Sequence, residues 1–238
     1  MALTRTDRPA LVFDVLGTLV DQAGSLRAEV RAAAGVDDAE AGRVVARWLG
    51  LVAEQTREVV DGRRDFAPSD RLDREALAAL VRDGDLPAAA ADRLATAGER
   101  LRAWDDSVAG IDALARDFTV IGLSDASRRT LAGLSAGTGL RWHQVLSAED
   151  ARTYKPGPAL YAAALAAAPA GSGPPVMVAA HAWDLRAAAG AGMRTAYVPR
   201  PQGDPPAGGD RFDLRAADLP DLHARLLLLG GEPGPRLS

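Results

Sequence analysis

Six polar side chains fall at or beyond the ends of short apolar runs: Asp14, Thr18, Ser124, Asp125, Lys155 and Asp184. Carboxylates, hydroxyls and an ammonium are the groups that attack a reacting centre, hold a charge in place or move a proton. Asp14 is the strongest candidate. It closes the apolar run Ala10 to Phe13 and precedes Gly17 and Thr18, which sets a carboxylate at a sheet edge where backbone N–H groups also point outward. Taken alone, the same aspartate also reads as a turn acid. The chain has no cysteine, which excludes disulfides, thiolate metal sites and cysteine nucleophiles. Its 3 histidines show no zinc-ligand spacing. The 28 lysines and arginines include one lysine, Lys155, so any lysine chemistry falls on that residue.

The elements that must position these groups are legible from apolar patterning. Apolar runs at Ala10–Phe13, Phe118–Leu123, Val145–Leu146, Val176–Ala180 and Thr195–Val198 alternate with alanine-rich helical stretches. That alternation predicts βαβ units and a doubly wound parallel α/β sheet, whose strand ends converge on one crevice. From about Ser25 to Arg63, and again around Leu72–Val81 and Leu94–Leu101, the spacing is helical without a convincing strand. The expected organisation is therefore a Rossmann-like core, residues 1–20 and 96–238, with an α-helical cap at 21–95 inserted after the first strand. The segment 203–209 reads as a turn-rich loop, and the tail 230–238 is expected to have little fixed structure. A net charge of −4 with both signs interspersed gives no basic stripe, so no nucleic-acid partner is expected. The first apolar run meets Asp14 too soon to be a signal or membrane-spanning segment, and a cytoplasmic location away from membranes is expected.

Four segments in order carry a family resemblance: FDVLGTLVD at 13–21, VIGLSDAS at 120–127, YKPGPALY at 154–161 and VAAHAWDLRAAAGAGMRTAYV at 178–198. Together they resemble the haloacid dehalogenase superfamily. The cap-sized helical gap and the flanking pieces AWDDSVAGIDALA and HQVLSAEDARTYKPGPALY are similar to its type II (L-2-) haloacid dehalogenase branch. The resemblance implies Asp14 as a nucleophile that displaces halide from carbon to form an ester, which water then hydrolyses. It implies Lys155 as the cation that orients Asp14 and keeps it ionised, and Asp184 as the group that positions or activates the water. Thr18 and Ser124 fall where the family holds the nucleophile and the substrate carboxylate. Arg47 in the cap is the expected halide-binding guanidinium, with Arg43 and Arg57 also available on helical spacing. Tyr161 matches a pocket tyrosine, and Trp183 adjoins Asp184 as a pocket wall. The implied substrate is a small 2-haloalkanoic acid, without cofactor or metal, and a homodimer is compatible.

Departures from that branch bear on the chemistry. Leu16 stands where the phosphatase branches carry a second aspartate that protonates a leaving alcohol, and it can neither donate nor accept a proton. A halide leaves without one. Related dehalogenases often have Tyr at Leu16, Asn at Asp125, and Ser and Asn at Ala179 and His181. An ionised Asp125 would repel an anionic substrate, unless it serves only to cap a helix. His181 reads either as an aligner of water or as a packing residue. A phosphoryl-transfer enzyme lacking the second acid, and a binding protein on the same fold, are the competing readings.

Overall fold

The computed structural model describes residues 8–170 and 173–229; the expectation for the tail 230–238 lies outside them. Strand β1 (Leu11–Asp14) is the centre of the sheet, with β4 (Val120–Ser124) and β5 (Gln144–Ser147) on one side. β6 (Val176–Ala179), β7 (Arg194–Tyr197) and β8 (Leu214–Arg215) lie on the other. The order is β5-β4-β1-β6-β7-β8, and every pairing is parallel. The sheet expectation holds, and its cause is visible in the side chains.

Leu11 and Phe13 of β1, Val120 of β4, and Val176 and Val178 of β6 pack on one face. They meet Ile111 and Leu114 from α5 (Ser107–Asp117), Leu131 and Leu134 from α6 (Arg128–Thr138), and Leu219 and Leu222 from α10 (Leu219–Leu229). The intervening residues Val12, Ile121, Leu123, Met177 and Ala179 face the other way. There they meet α8 (Pro158–Ala167) and α9 (Ala182–Gly190) through Leu160, Tyr161, Ala164, Leu185 and Ala188. Strands buried on both faces must be apolar at every position, which is why they read as continuous runs.

Between the first and second core strands the chain forms α1 (Gln22–Ala34), α2 (Asp38–Val60), α3 (Ser69–Arg82) and α4 (Ala88–Leu94). The stretch Ser25–Arg63 is two helices. Gly35 ends α1 in the left-handed conformation at φ 69°, and the side chain of Asp37 caps α2 by accepting from the Glu40 N–H. Beyond α4 the helical spacing gives way to a short 3-10 turn, Ala97–Arg100. The chain leaves the core through β2 (Val20–Asp21) and returns through β3 (Arg102–Ala103), and these two pair antiparallel. Trp48 of α2 is almost fully buried and donates its indole N–H to Asp73 Oδ1 of α3 at 2.9 Å, tying the two helices together. Among the described residues no helix is long and apolar enough to cross a membrane.

Candidate active site

The carboxyl ends of β1, β4 and β6 open onto a cleft of ≈ 650 Å³ roofed by α2 and α3. Such placement is dictated by topology: strand order reverses at β1, so the connections on either side leave a crevice. After β1 the chain turns sharply at Gly17, with φ +83°, where a Cβ would stand 2.6 Å from His181 Nε2. Glycine is therefore required at 17 by conformation and by space. The turn brings Thr18 back over Asp14, and its hydroxyl donates to Asp14 Oδ2 at 2.6 Å. The same Thr18 oxygen accepts the Ala180 N–H at 2.9 Å, which locks the turn to the end of β6.

Lys155 supplies the charge. Its ammonium donates to Asp14 Oδ1 at 2.9 Å and to Asp184 Oδ2 at 2.7 Å, while Tyr161 donates its hydroxyl to Asp184 Oδ1 at 2.6 Å. All four side chains are buried. Burial pulls the Lys155 ammonium down, but the carboxylates of Asp14, Asp184 and Asp125 outweigh it and hold its pKa above the ordinary lysine value. One ammonium does not neutralise so many acids. Burial therefore raises Asp184 despite the opposing pull of Lys155, and burial pushes Asp125 up to about 7, again against Lys155. Asp125 Oδ1 accepts the backbone N–H of Lys155 at 2.9 Å, so this side chain braces the lysine loop; α6 is capped by Ser127.

Of the residues singled out from the sequence, Asp14, Leu16, Asp125, Lys155, His181 and Trp183 line the cleft. His181 Nε2 stands 3.9 Å from Asp14 Oδ2, and its ring stacks on Trp183 with centroids 6.0 Å apart. Thr18 and Asp184 sit behind this surface as partners of Asp14 and Lys155. Three expectations of direct substrate contact differ from the geometry. Ser124 is fully buried and its Oγ accepts the Ala126 N–H at 3.1 Å. Tyr161 is occupied by Asp184 beneath the cleft floor. Arg47 points away, bound by Asp83 and Asp85 at the far side of α2. Arg43 is held by Glu40. Arg57, about four turns of helix beyond Arg43 on α2, lies on the cleft wall, and no ion pair engages it among the described residues.

Two braces were not read from the sequence. Arg200 donates through Nε to the Thr18 carbonyl at 2.9 Å and pairs with Asp106 at 2.8 Å. Trp104 donates its indole N–H to the Gly17 carbonyl at 3.2 Å, with the Arg200 guanidinium 5.9 Å from its ring centroid. Arg200 follows Val198 and Pro199 just past β7, so the rule that polar residues beyond strand ends converge was the available signal.

Paired carboxylates on a cleft surface are a setting in which magnesium can be held, and the side chains here do not suit it. Asp14 presents its oxygens to Lys155 and Thr18, Asp184 presents its own to Lys155 and Tyr161, and the ammonium already bridges the pair. Leu16 adds no ligand, and among the described residues no group of His, Asp and Glu is arranged to hold a metal ion.

Comparison with known proteins gives a consistent picture. A search of curated sequences finds no significant match. Solved structures superpose over nearly the whole chain. An L-2-haloacid dehalogenase matches with TM-score 0.82 and 30% identity, covering 93% of this chain and 99% of its own. A defluorinating L-2-haloacid dehalogenase matches with TM-score 0.83 and 27% identity over 95% and 100% of the two chains. The L-2-haloacid dehalogenase of Xanthobacter autotrophicus, solved with chloropropionic acid covalently bound, shares the fold at TM-score 0.76 and 23% identity, over 95% and 100%. The family model of haloacid dehalogenase-like hydrolases matches residues 9–192, and the chain belongs to that family.

Proposed function

We propose that the protein hydrolyses the carbon–halogen bond of 2-haloalkanoic acids through an ester on Asp14. The observation that carries this reading is a carboxylate on the cleft surface, held by Thr18 and the Lys155 ammonium, with Leu16 where an acid for an alcohol leaving group would stand. In the first step an Asp14 oxygen forms a bond to C2 as the carbon–halogen bond breaks and its electron pair leaves with halide. Lys155 and Thr18 donate to the Asp14 carboxyl and hold it in place for the attack. In the second step water attacks the Asp14 carboxyl carbon, the ester C–O bond breaks, one water proton goes to the leaving alkoxide, which departs as the hydroxy acid, and the other is released. That released proton passes to the Lys155–Asp184 pair, where the raised pKa of Asp184 suits a proton acceptor. His181, 3.9 Å from Asp14 Oδ2, aligns the attacking water.

The helices within 21–95 act as the cap that shields this chemistry from bulk water. Arg57 takes the role expected of Arg47, receiving the departing halide. The similarity to L-2-haloacid dehalogenases at 27–30% identity supports the substrate class. Incubation with 2-chloropropionate and haloacetates should release halide, and quenching should leave a mass adduct on the peptide that contains Asp14, absent in Asp14→Asn. No halide release by folded protein across a range of 2-halo acids removes this reading.

A further inference from the structure

The cleft is far larger than the simplest substrate of this chemistry needs. Its ≈ 650 Å³ lies within the ~300–1,000 Å³ typical of sites for drug-sized ligands, whereas 2-chloropropionate has about six non-hydrogen atoms. Above Asp14 the walls are apolar, formed by Leu26, Leu49, Val52, Val60 and Leu101, which suits an alkyl chain. On the cap side that apolar channel meets a carboxylate, Asp73 of α3, which also lines the cleft.

Asp73 is not neutralised there. Its Oδ1 accepts the Trp48 indole N–H, and no other side chain or backbone group donates to it among the described residues. The neighbouring cation Arg74 is turned outward onto Asp70. Burial pushes the Asp73 carboxyl up to about 6 while the Trp48 N–H pulls it down, so at neutral pH it is mostly ionised. The lining as a whole is acid-rich, with Asp14, Asp61, Asp73 and Asp125 against Lys155 and Arg57. Asp61 is paired with Arg63 at 2.7 Å and Asp14 with Lys155 at 2.9 Å. A purely anionic ligand finds complementarity near Lys155 and Arg57, and an uncompensated carboxylate at Asp73.

We propose that Asp73 and Trp48 form a second subsite that binds an ammonium at the far end of the substrate, so that the preferred substrates are 2-halo acids carrying an amino-ended alkyl chain. This rests on the dehalogenase reading for the reaction but not for the binding. A purely structural Asp73 would serve only as acceptor for Trp48, a role that asparagine fills equally well. Asp73→Asn therefore keeps the helix–helix hydrogen bond and removes only the charge.

The test has two arms. Calorimetric titration of wild type and Asp73→Asn with straight-chain carboxylates of four to eight carbons, methyl-ended or amino-ended, reads the subsite without chemistry. At the best-fitting length the amino-ended acid should bind wild type about tenfold more tightly, the equivalent of ~1.4 kcal/mol. The variant should lose that preference while binding the methyl-ended acid unchanged, which also reports that it is folded. In the second arm, halide release from the matching 2-bromo acids should show the same ratio in kcat/KM, again lost in Asp73→Asn. Equal binding of both series at every length, or a preference that survives Asp73→Asn, overturns the subsite. An amino-ended preference in binding with no halide release from any 2-bromo acid supports the subsite and overturns the dehalogenase reading instead.

Discussion

Replacing Lys155 with methionine keeps a linear side chain of similar length and deletes the charge that two buried carboxylates share. In the wild type the ammonium lies 2.9 Å from Asp14 and 2.7 Å from Asp184, with its side chain only 2% exposed. Its removal leaves Asp14 with the Thr18 donor and Asp184 with the Tyr161 donor, and neither with a cation. Breaking a buried ion pair from one side costs about 3–5 kcal/mol. For a chain of this length each kcal/mol moves Tm by roughly 2–4 °C, so the variant should melt about 6–20 °C lower at pH 7.

The pH dependence has a definite sign. The raised pKa of wild-type Lys155 means that its contribution is complete below the ordinary lysine value, about 10.5 in unfolded chains, and is lost only as pH rises through the higher folded value. Across pH 5–8 that contribution is constant. In Lys155→Met the carboxyl of Asp184, already raised by burial, rises further. The folded variant then holds a proton that the unfolded chain loses near pH 3.9, so its stability falls as pH increases above that point. The deficit should therefore shrink on acidification from pH 8 to pH 5. Urea unfolding of both proteins across that range measures it. A deficit below about 1 kcal/mol at pH 7, or one that does not change between pH 5 and 8, would refute the account of Lys155 as the cation shared by two buried carboxyl groups.

Asp125 predicts a second pH effect. With its carboxyl pushed to about 7 by burial, kcat/KM for an anionic 2-halo acid should fall as pH rises through about 7, and Asp125→Asn should remove that step in a pH–rate profile. The same substitution should raise stability at pH 8 more than at pH 5. The folded wild type keeps a proton up to about 7 that the unfolded chain has already lost near 3.8. On α2, Arg57→Ala should lower kcat/KM at least about tenfold, the scale of one lost charge-assisted contact. Arg47→Ala should leave steady-state kinetics within about twofold and alter only the exposed cluster with Asp83 and Asp85.

What could be read in advance follows from burial. Core strands such as Leu11–Asp14 and Val176–Ala179 are buried along their whole length, so their apolar runs were visible and their polar terminators marked the site. β8 is a two-residue edge strand and β2 and β3 are as short, so no periodicity announced them. Within the site, the grouping of Asp14, Thr18, Lys155 and Asp184 was legible because each follows a strand or its loop. Depth was not. Nothing in the spacing distinguishes a cleft-facing side chain from one a layer behind it, and so Ser124 and Tyr161 read as substrate contacts. On α2, Arg43, Arg47 and Arg57 are equivalent until Glu40, Asp83 and Asp85 capture the first two. Asp73 gave no signal because its significance depends on Trp48, 25 residues away in sequence, and on the empty space beside both.

The single lysine of the chain has a consequence for chemical labelling. Lys155 is the one side-chain amine present, and in the folded protein it is sealed, protonated and bound to two carboxylates. Acylating reagents require a free, neutral amine, so the native site resists them and opening of the core exposes one reactive nitrogen. The rate at which Lys155 becomes acylated is thus a readout of how often the floor of the cleft comes apart. One residue serves as counter-charge when the site is closed and as a reporter when it opens.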